Sequence, residues 1–173
     1  MSANLFTSEV KFMERSRVAL TNAESHAEIK SRLEEYNFGS NNIAQGWKIY
    51  NTAETKRAAK TKEDIETSLA GNSYRQTYDE LQSLFKVHRD KVLIYFKKNP
   101  EILVRLGVKG RFPTRYLDFF NKSKHFYQTI VDSPDIQESV SILKITPEVV
   151  TKCLSMHTQL LAERVNYDKE LGE

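Results

Sequence analysis

Apolar residues recur along this chain at three- and four-residue intervals. Nowhere do they show the sustained two-residue alternation, bounded by hairpin turns, that marks a half-buried strand. Phe6, Val10, Met13 and Leu20 form a first stripe, broken by Arg17, and Ile29, Leu33 and Tyr36 form a second. A third begins near Ser40 with Ile43, Trp47 and Tyr50, then thins through Ala58, Thr61, Ile65 and Leu69 to Gly71 and Asn72. The fourth carries Tyr74, Tyr78, Leu81, Phe85, His88, Val92 and Phe96 up to Lys98. Beyond a short segment at 100–106, three more stripes follow. They are Tyr116, Phe120, Ser123, Tyr127 and Ile130; Ile136, Val140 and Leu143; and Val150, Cys153, His157 and Leu160. The pattern predicts an all-α fold, a single-domain helical bundle of about seven or eight helices.

Boundaries between the stripes carry their own chemistry. Asn99, Pro100 and Glu101, then Ser133, Pro134 and Asp135, then Thr146, Pro147 and Glu148, each read as N-cap, N1 and N2. The cap side chain can accept an orphan amide, proline costs nothing where no amide bond is needed, and the acid meets the positive end of the helix dipole. Ser73 and Gln76 stand at capping-box spacing and predict a fourth start. Gly107 suits a left-handed C′ residue. With Gly71 and Asn72 ending one helix and Ser73 opening the next, residues 40–98 read as a long antiparallel hairpin. Its tip, within 51–90, would project beyond the core.

Sliding the chain on itself by 107 residues pairs its two ends without a gap. Phe12, Met13, Ser16 and Arg17 fall on Phe119, Phe120, Ser123 and Lys124. Ile29, Leu33 and Tyr36 fall on Ile136, Val140 and Leu143, and Phe38, Ile43, Trp47 and Arg57 on Ile145, Val150, Leu154 and Arg164. The match predicts that 8–60 and 115–167 are two copies of a long-short-long helix unit, packed about a pseudo-two-fold axis. The segment NPEILVRLGVKGR at 99–111, then Phe126 and Tyr127, then a short helix and a new start at Thr146, resembles an uncharacterised bacterial all-helical family. That family has a P-x-L-L-x-x-L-G-L-x-G segment between two related halves. The resemblance spans roughly residues 20–165 and implies the fold, with no activity and no site residues to carry over.

Composition narrows the class. A chain of 173 residues with 6 Gly, 4 Pro and 28% charged residues is long enough for a core and too poor in turn formers for a β-sandwich. The single cysteine, Cys153, leaves no internal disulfide and fits a reducing, cytoplasmic setting. No apolar run is long enough to span a membrane, and the N-terminus lacks the regions of a signal peptide.

Charge is uneven along the chain. Residues 86–124 hold eleven Lys and Arg against three acids, +8, which leaves −5 elsewhere for a net of +3. The candidate anion-binding residues within this segment are Lys109, Arg111, Arg115, Lys122 and Lys124. Gly107 and Gly110 are spaced like the clamp of an RNA-binding module, but that module needs a β-sheet.

Motif chemistry is otherwise absent from the sequence. No Glu-x-x-His or His-Glu-x-x-His occurs, no acid-rich calcium loop, no phosphate-binding glycine loop and no nucleophile elbow. His88 and His157 fall on apolar stripes, where a hydrogen-bonded core histidine is the expectation. Cys153 reads as a small core residue and Trp47 as a core anchor. The expected function is therefore noncatalytic, without cofactor or metal. Protein–protein interaction or self-association leads, nucleic-acid or other polyanion binding through 86–124 is the alternative, and an enzyme using His88 or His157 is the third.

Overall fold

The computed structural model describes residues 9–172, so Phe6 of the first stripe lies outside the described residues. The fold is all-α, with seven helices and no strand among the described residues. These are α1 (Glu9–Ser25), α2 (Ala27–Glu35), α3 (Ser40–Tyr95), α4 (Pro100–Arg105), α5 (Tyr116–Asp132), α6 (Pro134–Ser141) and α7 (Pro147–Glu170). The chain divides into two compact units, Met1–Asp64 and Ile65–Glu173.

Proline marks three helix starts as expected, with Asn99, Ser133 and Thr146 at the N-cap positions. None of the three side chains caps its own helix, however. Ser133 Oγ instead accepts from Arg105 Nη2 at 2.9 Å, so proline and the acidic N2 residue carry the start signal.

The expected hairpin at 40–98 is not formed: α3 runs through Gly71, Asn72 and Ser73 without a break. Gly71 is buried, and a Cβ there would lie 2.9 Å from Tyr167 Cε2. Its missing side chain thus admits a ring from α7 instead of turning the chain. Ser73 does not cap either, because its Oγ donates to Glu163 Oε1 across to α7 at 2.6 Å. Glycine inside a helix costs only about 1 kcal/mol, which packing of this kind offsets.

The second unit holds the core. Leu81, Phe85 and Val92 of α3 and Phe96 just after it pack with Phe119, Phe126, Tyr127 and Ile130 of α5 and with Val150, Cys153 and Leu160 of α7. Phe85 meets the rings of Phe119, Phe126 and Tyr127 at 5.5–6.4 Å between centroids. Leu103, Leu106 and Val108 close one side, held by the C-terminal turn of α4. There Gly107 takes φ +66°, with the Val108 amide bonded to Leu103 O.

In the first unit, Met13 and Ala23 alone are buried among the described residues. α1 and the start of α3 nevertheless make definite contacts. Arg57 Nε lies 3.7 Å from Glu9 Oε1, and Trp47 Nε1 donates to Glu24 Oε2 at 3.1 Å. A Cβ at Gly46 would meet Leu20 Cδ2 at 2.6 Å. Trp47 is half-buried in these contacts and is not a core anchor.

The 107-residue offset recurs in backbone detail. α1 and α5 begin and end in step, and so do the starts of α2 and α6 and of α3 and α7. Asn37 has φ 63° and Lys144 φ 61°. The Phe38 amide bonds Leu33 O, and the Ile145 amide bonds Val140 O. Ser16 Oγ lies 2.9 Å from Phe12 O, and Ser123 Oγ lies 2.8 Å from Phe119 O. Where Arg57 reaches Glu9, the guanidinium of Arg164 lies 4.3 Å from the ring centroid of Tyr116.

Candidate docking face

The five candidate cations are all exposed. Lys109 and Arg111 lie on the loop that joins α4 to α5, Arg115 is the residue before α5, and Lys122 and Lys124 lie on α5. Helical geometry separates the last two by about 200° around the axis. Lys122 shares its side with Arg115 and with the acidic Asp118, whereas Lys124 points elsewhere. The five therefore do not converge. Other basic residues of 86–124 serve the fold. Lys91 Nζ donates to Leu143 O at 2.9 Å, Arg105 binds Asp135 Oδ2 at 3.1 Å, and Arg89 donates to the Gly110 carbonyl.

The two core histidines face neutral partners. His88 Nδ1 lies 3.0 Å from Tyr127 Oη, and burial, aided by nearby Lys91, lowers the imidazole to about 4. His157 Nδ1 lies 2.8 Å from Cys153 O, which can only accept, so this nitrogen carries the proton. Its Nε2 then faces Ser123 Oγ at 2.8 Å. Burial also moves this imidazole down and the Cys153 thiol up. A serine hydroxyl on a histidine is the polarity of nucleophilic catalysis. Here Ser123 is 0% and His157 2% exposed, beneath Phe120 and Tyr127, which leaves a substrate no approach. The pair spans 34 residues between two helices, so no local motif could have announced it. No group of three or more His, Cys, Asp or Glu among the described residues could hold a metal ion.

The feature that sequence reasoning missed lies in the first unit. A groove of about 460 Å³ runs between α1, α2 and α3, lined by Ala19, Leu20, Ala23, Leu33, Phe38, Ile43, Gly46 and Ile49 among others. Phe38 is 56% and Ile49 64% exposed, and Ile29, in a second hollow that shares Leu33 with the groove, 41%. At the 107-residue offset these positions correspond to Ile145, Met156 and Ile136, which are 0%, 5% and 0% exposed. Leu20, Leu33 and Ile43, half-buried, correspond to the buried Tyr127, Val140 and Val150. In the second unit that face is sealed by residues 81–96, the end of α3 and the turn after it, and by α4. Within the first unit, no further described helix seals it. A signal was present: Ala19, Ala23 and Ala53 stand where the second half has Phe126, Ile130 and Leu160.

No family model, no curated protein and no solved structure matches this chain. No helix among the described residues is long and apolar enough to cross a membrane.

Proposed function

We propose that this chain is a noncatalytic helical protein that acts by docking another protein surface on the apolar face of α1, α2 and the first turns of α3. One observation carries the reading. A face whose counterpart forms the core of the second unit stands open in the first, and Phe38 and Ile49 stay more than half exposed on it. Contiguous apolar surface of this kind is costly in water and marks interaction sites. The sealed Ser123 and His157 pair and the upward-shifted thiol of Cys153 fit a role without covalent chemistry. The matching turns at Asn37 and Lys144 support descent of the two triplets from one duplicated unit, in keeping with the family resemblance at 99–111. The lone cysteine favours a cytoplasmic setting.

A photo-crosslinking side chain placed at Ile49 tests the docking role in the cells that make the protein. A defined protein adduct from Ile49 and none from Val165, an exposed residue of α7, is the expected result. No adduct at the natural expression level would refute it.

A second reading, polyanion binding, rests on Lys109, Arg111 and Arg115, which are exposed and make no ion pair among the described residues. It requires affinity for a nucleic acid that falls steeply with salt and is lost when the three are changed to Glu. Undetectable binding at low ionic strength removes it.

A further inference from the structure

We infer that the occupant of the open face is a second copy of this chain, joined about a two-fold axis; this rests on the docking role proposed above. Self-complementarity is the first argument, because an isologous contact needs projections and hollows on one and the same surface. Ile49 and Phe38 project, while the small residues Ala19 and Ala23 line the groove beside them. A two-fold rotation can seat one copy's Ile49 in the other's groove, and the small residues let the helices approach closely.

Area is the second argument. Phe38 and Ile49, 56% and 64% exposed, line the groove, and Ile29 and Tyr36, 41% and 73% exposed, line an adjoining hollow that shares Leu33 with it. With the half-buried Leu20, Leu33 and Ile43 they offer roughly 600 Å² of side-chain surface, against about 800 Å² per partner in a standard stable interface. That places the contact at the small end of stable interfaces, in keeping with a reversible dimer.

Charge is the third. Residues 1–64 carry ten Lys and Arg and nine Asp and Glu, a net of +1. Such a unit neither repels its own copy nor selects a strongly acidic or basic partner by its field.

Sedimentation equilibrium of the full chain over a wide concentration range tests this, with circular dichroism to verify folding. Both Phe38→Glu and Ile49→Glu change exposed residues that support no core. Val104→Glu and Val165→Glu serve as controls at exposed sites of α4 and α7. A reversible dimer is expected, at least tenfold weaker in each face variant and unchanged in the controls. A monomer at all concentrations, or a dimer indifferent to both face variants, overturns the inference. If the chain is monomeric while Ile49 still crosslinks a different protein, the docking role stands and the second copy alone is refuted.

Discussion

Gly71 and Tyr167 are a matched pair: the ring lies where any β-carbon at position 71 would stand, and it stacks on Tyr74 with an interplanar angle of 12°. The ring cannot swing away without giving up that stacking. Gly71→Val is therefore expected to lower stability by about 1–3 kcal/mol, the usual cost of overpacking, as measured by urea unfolding. The histidines make a prediction of opposite kind, one that concerns solvent conditions. His88 is lowered from 6.5 to about 4 in the folded state, chiefly by burial. Between those values the unfolded chain takes up a proton that the folded chain refuses. Stability is then complete above pH 6.5 and declines as pH falls toward 4. His157 is shifted the same way. Urea midpoints at pH 7 and pH 4.5 should show the decline, and His88→Gln should shrink the difference while leaving that from His157.

Among the elements, α3 decides the most. Its 56 residues pass from a weakly apolar stretch into one that carries Leu81, Phe85, His88 and Val92 inside the core. Proline in a helix interior removes a hydrogen bond and clashes with the preceding turn. Asn72→Pro, which the tip of a hairpin would tolerate, is expected to cost about 3 kcal/mol or more here, with loss of helical ellipticity. Helix starts at 100, 134 and 147 were legible in the sequence because proline and its neighbours act within one turn. Continuity through Gly71 was not legible. The same glycine can end a helix or admit a neighbouring ring, and only the presence of Tyr167, some ninety residues away, selects the second. Lys144 at φ 61° was equally unreadable, since lysine has no special affinity for that conformation, whereas Asn37 does.

At the scale of the whole molecule, burial is concentrated in one unit. The second contains every member of the main core cluster, and the first contains Met13 and Ala23 as its buried residues among those described. Local opening free energy follows the density of buried apolar contacts. In hydrogen exchange, amides of 77–92, 119–130 and 150–160 should be the slowest, and those of 9–64 faster by orders of magnitude in dilute solution. Raising the concentration should slow exchange in α1, α2 and the start of α3 if two copies close over that face. Exchange at 9–64 as slow as in the core of the second unit would refute the view that the face lies open.

The sequence alone determined the helical class, most helix boundaries and the 107-residue correspondence, because periodicity, proline and capping positions act over a few residues and need no distant partner. Tertiary structure alone decided the rest. It decided that α3 does not turn back, that Ser123 meets His157 out of reach of solvent, that Lys91, Arg89 and Arg105 are spent on contacts within the fold, and that the apolar face of α5, α6 and α7 is covered while that of α1, α2 and the start of α3 stands open. Each of those depends on which surfaces meet, and a surface is assembled from residues far apart along the chain.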